Sequence, residues 1–227
     1  MSDSRKTSRR DLLRAGMALP LGALATGSHA ADRCTPTPRQ TSGPFYPFFE
    51  QTDKDVDLTR MVGHDQPAEG EVIRVTGRVL DDACRPVQGA LVDLWQADHH
   101  GRYRHPADPN PAQPDPNFQG WGQTVTDAEG RFSFRTIKPA SYPLRFLGGT
   151  ADESAGYRTP HIHFRVSRRG YSELTTQMYF AGEALNDADI VLKRVPQAER
   201  PKVVIVGRRP AEGEPPVFQF DIAIAPA

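Results

Sequence analysis

Residues 122–134 read GQTVTDAEGRFSF. Two short runs rich in β-branched and aromatic residues flank Asp127-Ala128-Glu129-Gly130, a strong turn signal, so the stretch predicts two short antiparallel strands about a tight turn. The same grammar extends outward in both directions. EVIRVTGRVL (71–80) alternates, GALVDLW (89–95) follows a turn at Arg85-Pro86, and SYPLRF (141–146), HIHFRVS (161–167), ELTTQMYF (173–180) and VFQFDIAI (217–224) supply further strands. Only NDADIVLKRV (186–195) suggests a short helix, and there is no internal repeat, heptad or nucleotide-binding loop. The expected fold class is all-β, an antiparallel β-sandwich with long inserted loops.

Composition agrees with that class. The chain has 227 residues, enough for one large domain, and its 19 glycines and 21 prolines imply many turns and loops. Lys and Arg total 28, as do Asp and Glu. There is no basic excess of the kind that neutralises phosphates, so nucleic acid is not an expected partner.

Residues 1–30 have the parts of an export signal: the pair Arg9-Arg10, an apolar run from Ala15 to Thr26, and Ser28-His29-Ala30 as a small-x-small cleavage pattern. A transmembrane anchor needs about 20 apolar residues; this run is shorter and contains Pro20. The arginine pair resembles the address of the twin-arginine route, which implies recognition by that export machinery, delivery to a bacterial periplasm, and no stable membrane insertion after cleavage. The organisation is then a signal over 1–30, an N-terminal arm over the Pro-broken stretch 31–70, and a β-domain over 71–227. Two cysteines remain, Cys34 and Cys84. An oxidising destination permits one disulfide between them, and two buried thiols are the alternative.

Chemistry concentrates in two places. In RTPHIHFRV (158–166), His161 and His163 lie two apart in a strand and point to one face, roughly 7 Å apart along the chain, so both can reach one metal ion. The connection QADHHGRYRHPADPNPAQPDPNFQGWG (96–122) is too long for a hairpin and is rich in Pro, Asp, His and Tyr. Its His99, His100 and His105 are candidate third nitrogen ligands.

GRYRHP (101–106), DPNFQGWGQTVTDAEGRFSFRTIKPASYP (115–143), RTPHIHFRV and TTQMYFAGE (175–183) together resemble, in order, the blocks of the intradiol ring-cleavage dioxygenases, closest to the protocatechuate 3,4-dioxygenase branch. The resemblance runs from about Thr37 to Asp189. It implies one non-haem Fe(III) per chain held by Tyr103, Tyr142, His161 and His163. The donor types suit that ion independently: free phenol has a pKa near 10, so tyrosinate at neutral pH needs a strong cation, and two hard phenolates favour the ferric state. Neither a zinc hydrolase pattern nor the two-His-one-carboxylate set of Fe(II) oxygenases is present.

The resemblance further implies a catechol-type substrate and O2. The catechol chelates the iron, displaces Tyr142 and gives it a proton; ring opening between the hydroxyl-bearing carbons passes through a cyclic anhydride to a muconate-type diacid. Arg158 matches the arginine that stabilises negative charge on the attacked carbon, and Gln177 a glutamine beside it. TSGPFYP (41–47) resembles the arm over the substrate, which makes Pro44 and Tyr46 pocket residues. Leu144 stands where the protocatechuate branch tends to have Trp, and the segment from Arg145 to Tyr157 differs from theirs. Catechol, protocatechuate and substituted catechols therefore all stay open as substrates, and a homo-oligomer as an assembly. Two rival readings remain. VTGRVLDDACRPVQGALVDL (75–94) with TVTDAEGRFSFRTIKPASYPL (124–144) also resembles transthyretin-like and carboxypeptidase-regulatory modules, which bind without catalysis. An exported iron or catecholate binder without turnover is the other.

Overall fold

A computed structural model describes residues 34–49, 51, 53–144 and 156–227; the signal expected over 1–30 and the divergent segment 145–155 lie outside them. Strands form where the sequence alternates. β1 (Val72–Leu80) buries Ile73, Val75 and Val79 and turns Arg74 and Arg78 outward. β2 (Leu91–Trp95) and β3 (Trp121–Val125) flank the long loop, and β4 (Arg131–Ile137) repeats the alternation with Phe132 and Phe134 inside. β5 (Tyr142–Pro143) and β6 (Tyr157–Arg158) are two-residue strands. β7 (His161–Ser167) and β8 (Leu174–Phe180) carry the HIHFRVS and TTQMYF segments. β9 (Val204–Ile205), β10 (Val217–Gln219) and β11 (Ile222–Ala223) complete the chain. The expected short helix over 186–195 is a 3-10 turn at Leu192–Arg194, followed by another at Gln197–Lys202. Among the described residues no helix is long and apolar enough to cross a membrane.

The strands divide into a five-stranded sheet, β3-β2-β7-β8-β9, a four-stranded sheet in which β1 has β4 on one side and β10 and β11 on the other, and the pair β5-β6. The two larger sheets share one core: Phe132 of β4 meets Phe164 of β7 with ring centroids 6.0 Å apart, and Val75, Phe134, Val92, Leu94 and Ile162 lie in the same cluster. Truncating a wholly buried ring such as Phe134 would cost about 3–5 kcal/mol.

The expectation of a wholly antiparallel fold is corrected at the edges. β10 and β11 run parallel to β1, and β9 parallel to β8. Strand direction depends on how the chain returns over long distances, which periodicity within a segment does not encode. Between β10 and β11, Phe220 N–H donates to the Thr76 carbonyl at 2.7 Å, and a Cβ on Gly77 would sit 1.9 Å from the Phe220 oxygen, so only glycine admits the crossing.

The stretch 122–134 is a second correction. Its turn forms as expected: the Asp127 carboxylate accepts from Glu129 and Arg131 N–H at 3.0 and 2.7 Å, and Gly130 has φ +71°. Yet the flanking strands do not pair with each other. β3 pairs with β2 and β4 with β1. Buried Thr126 explains the divergence. Its N–H donates to Ala90, and its hydroxyl donates to the Val87 carbonyl and accepts from Ala90 N–H. On the far side of the turn, the Gly130 carbonyl accepts from Val79. Each strand is claimed by a different sheet before the hairpin can extend.

The stretch before β1 lies over this framework. Cys34 and Cys84 form a disulfide with Cα atoms 5.0 Å apart. Gln40 N–H donates to Thr175 of β8, and Leu58 enters the main core.

Candidate metal centre

β7 has two faces with different fates. Ile162, Phe164 and Val166 enter the shared core, so alternation turns His161 and His163 to the opposite face. Register then assembles their neighbours: His163 lies across from Trp95 of β2 and from Gln177 of β8, and His161 across from Tyr179. Tyr103 arrives from the long loop, where Ala97 and Tyr103 bridge and the Asp108 carboxylate accepts Tyr103 N–H at 2.6 Å. Tyr142 arrives on β5, paired in register with Arg158 of β6.

The four side chains converge. Tyr103 Oη lies 3.3 Å from His161 Nε2, 3.2 Å from His163 Nε2 and 3.5 Å from Tyr142 Oη, and Tyr142 Oη is 3.4 Å from His161 Nε2. A cation bonded to N and O at about 2.1 Å separates its donors by roughly 3.0–3.5 Å for bond angles of roughly 90–110°, so these spacings fit one ion. The His161 tautomer suits it as well. Nδ1–H donates to the Thr159 carbonyl at 2.7 Å, which leaves the Nε2 lone pair facing the tyrosine oxygens.

All four residues are at most 4% exposed, so the donors sit in a nearly water-free setting. Burial, helped by the Arg158 charge, holds the His161 pKa well below its ordinary value; for His163 burial, His161 and Arg158 act together in the same direction. Both are neutral donors at pH 7. Burial pushes the Tyr103 phenol well above its usual value, with Tyr142 adding to the effect, and burial likewise raises Tyr142 against the lowering influence of Arg158. Two buried phenols become anions only if a multivalent cation neutralises them. The donor set therefore fits a hard, highly charged metal.

Arg158 and Gln177 are brought to the same site. Arg158 Nη2 donates to Gln177 Oε1 at 2.6 Å, and its Nε to Asp189 Oδ2 at 2.8 Å. Burial works against the guanidinium's charge, but Tyr142 and Asp189 outweigh it and keep Arg158 protonated. Gln177 Nε2 donates to the Thr41 carbonyl, which couples the site to the stretch preceding Pro44. Tyr46 stands edge-on to Trp95, centroids 4.9 Å apart, and Trp95 stacks on His163 at 4.7 Å. Pro44 itself is exposed. Its neighbours reach the ligands instead: Phe45 packs on Tyr103 at 4.9 Å, and a Cβ on Gly43 would lie 3.5 Å from the His163 ring.

His99, His100 and His105 are not at this centre. His105 is buried beside Phe45, Phe48 and Phe49, and its Nδ1 accepts from Ala107 N–H. His99 and His100 group with Glu69. Sequence reading passed over Asp108, Asp189 and Tyr179. The Asx-type spacing of Asp108 to Asn110 was a usable signal, since Asp108 Oδ1 accepts Asn110 N–H; the other two contacts have none.

Residues 41–224 match the dioxygenase family described as "Dioxygenase". The chain belongs to this dioxygenase family. It is 38% identical over 189 residues to the protocatechuate 3,4-dioxygenase beta chain of Burkholderia cepacia, covering 82% of this chain and 78% of that one. It is 32% identical over 154 residues to a chlorocatechol 1,2-dioxygenase of Rhodococcus opacus, covering 63% of this chain and 57% of the relative. Among solved structures, the dioxygenase domain of a carbohydrate-binding fusion protein from Streptomyces sp. SirexAA-E is 30% identical with a TM-score of 0.59, covering 85% of this chain and all of that domain. The chain is an intradiol ring-cleavage dioxygenase, of a family that uses non-haem iron. The transthyretin-like, non-catalytic reading is thereby set aside: its turns are shared, but a binding module has no need of a dioxygenase family match and four converging buried donors.

Proposed function

We propose that this dioxygenase binds one Fe(III) through Tyr103, Tyr142, His161 and His163 and cleaves a catechol-type ring between its hydroxyl-bearing carbons, using O2, to a muconate-type diacid. The convergence of two phenols and two imidazoles within 3.2–3.5 Å carries this reading. A ferric ion held by these four residues would supply Lewis acidity: chelated by the two substrate oxygens, it would draw charge from the ring and make a ring carbon susceptible to O2.

The chain's own residues do the rest. Tyr103 Oη touches all three other donor atoms and would be the permanent anionic ligand; Tyr142 Oη touches His161 and Tyr103 and would be the one to yield to substrate. The Tyr142 phenolate, once displaced, would take a substrate proton at its Oη. Arg158, fixed and cationic, stabilises negative charge on the attacked carbon in a site from which water is largely excluded. Gln177 orients that guanidinium from one side and grips Thr41 on the other. Pro44 and Tyr46 belong to the arm that borders the pocket.

The two-sheet core supports a sandwich with long inserted loops as the finer description of the fold, organised as signal (1–30), arm (31–70) and catalytic domain (71–227). The Arg9-Arg10 address and the small-x-small pattern support export by the twin-arginine machinery to a periplasm, and sedimentation of the mature protein measures whether it forms a homo-oligomer.

The test is metal analysis of the purified mature chain together with O2 uptake on a panel comprising catechol, protocatechuate, and hydroxylated and chlorinated catechols. Stoichiometric iron, a visible tyrosinate-to-iron band and uptake of one O2 per ring cleaved are expected. Colourless protein with stoichiometric zinc overturns the ligand assignment, and coloured iron protein that takes up no O2 with any member leaves the exported binder as the answer.

A further inference from the structure

We propose that Glu69, His99 and His100 form a second metal site, for a divalent cation of the zinc class, on the outer side of the loop that presents Tyr103. One ligand atom from each of the three lies within 4.8 Å of the others. His99 Nε2 is already 3.0 Å from Glu69 Oε2, and the two imidazole centroids are 3.7 Å apart. Side chains of consecutive residues ordinarily diverge; here the tight turn at 98–101 folds both rings toward Glu69.

The backbones that carry these ligands are tied to one another without a metal. Buried Asp98 accepts His100 N–H at 2.9 Å through Oδ1 and Asp115 N–H at 3.1 Å through Oδ2. Asp115 Oδ2 in turn accepts Glu69 N–H at 2.8 Å. A continuous chain of hydrogen bonds therefore fixes the Glu69 segment against the His99-His100 turn. Gly70 lets the two approach: its φ is +111°, and a Cβ there would stand 2.9 Å from the Cβ of His99. Ligands held on pre-positioned backbone bind with less ordering cost than ligands on free loops.

The donor set narrows the cation class. Two imidazole nitrogens and one carboxylate oxygen, open to water, suit a first-row divalent cation, zinc or Fe(II), with solvent in the remaining positions. They lack the phenolates that make the Tyr103 centre suited to a ferric ion, and they offer too few oxygens for calcium or magnesium. The double histidine, which the iron centre does not use, has its role here. A cation at this position bridges the end of the arm to the turn that leads into Tyr103, and Gly101 of that turn already packs against Ser141 and Tyr142.

The experiment uses the iron-loaded mature chain and zinc chloride alone, with zinc uptake followed by calorimetric titration and iron content and visible band measured before and after. The expected result is about one zinc per chain with iron retained, and a rise in Tm on adding zinc. His99→Ala and His100→Ala should each weaken zinc binding at least tenfold and abolish the Tm rise, while iron content and zinc-free turnover stay at wild-type levels. Glu69→Gln, on a well-exposed side chain that cannot affect folding much, should weaken binding in the same direction. Three results overturn the proposal: no zinc bound by the iron-loaded protein at 100-fold excess, zinc bound with equal loss of iron, or unchanged zinc affinity in the His99→Ala/His100→Ala double variant.

Discussion

Arg158 Nε lies 2.8 Å from Asp189 Oδ2, and the two side chains are 2% and 0% exposed. The same Asp189 oxygen accepts Thr159 N–H at 3.0 Å, while its other oxygen accepts from Val191 and Leu192, each at 2.9 Å. Asp189 thus joins the 3-10 turn region to β6 and sets the direction of the guanidinium that Gln177 holds from the other end. Asp189→Asn removes the buried counter-charge but keeps the shape. Breaking such a pair typically costs about 3–5 kcal/mol, so a fall in Tm of roughly 6–20 °C is expected, together with a lower kcat at little-changed KM. Calorimetry and steady-state O2 uptake check both; wild-type kcat in a folded variant would show that the pair serves stability alone.

Arg158→Ala tests the charge itself. Loss of one preorganised stabilising group lowers turnover about 10²- to 10³-fold, whereas catechol, held by the metal, should still bind. Iron content and the resting band are expected to match wild type, and single-turnover rates should carry the defect. Near-normal turnover would take Arg158 out of the chemistry.

Cys34 and Cys84 are 50 residues apart and join the start of the described chain to the turn after β1. A bridge closing a loop of this size typically stabilises by about 2–4 kcal/mol. Cys34→Ser with Cys84→Ser should therefore lower Tm by roughly 4–16 °C. The proposed iron ligands are held by β7, by the β5-β6 pair and by the Asp108-anchored loop rather than by the bridge, so iron content should be kept. Unchanged Tm in the oxidised wild type after mild reduction would show that the bridge contributes little.

Arg9→Lys with Arg10→Lys tests the address. Folded, coloured protein should accumulate in the cytoplasm, measured by fractionation and by iron content of each fraction. Continued export of the double variant would mean that another feature of residues 1–30 directs the chain.

The parts of this molecule legible in its sequence are those that depend on neighbours a few residues away. Alternation placed His161 and His163 on one face, and the Asp127–Gly130 turn formed as its residues require. What alternation does not carry is the identity of a strand's partner: Thr126 commits β3 to the five-stranded sheet, and β10 returns to β1 in parallel from the far end of the chain. The site divides the same way. Tyr142 sits on a strand of only two residues and was found through block resemblance, not periodicity. Asp189 and Tyr179 act through contacts across the fold, to Arg158 and to Gln40 and Gln177, and nothing near them in sequence marks them.

The two tyrosines provide the most discriminating test. Tyr103 is anchored by Asp108 through its N–H, packed by Phe45, and its Oη contacts both histidines and Tyr142. Tyr142 rides on the short β5-β6 pair, and its Oη contacts only part of that set, His161 and Tyr103. Tyr103→Phe removes the central phenol, so ferric iron or much of the visible band should be lost before any substrate is added. Tyr142→Phe removes the phenol that the proposal assigns to yield to catechol. Resting iron should be largely retained and catechol should still bind, because its two oxygens replace the missing anionic donor; the defect should lie in substrate deprotonation and in product release, where the returning phenolate would displace the diacid. Iron content, the resting spectrum and stopped-flow catechol binding on both variants separate these outcomes. Equal loss of resting iron in the two, or a normal binding rate in Tyr142→Phe with only Tyr103→Phe slowed, would remove Tyr142 as the exchangeable ligand.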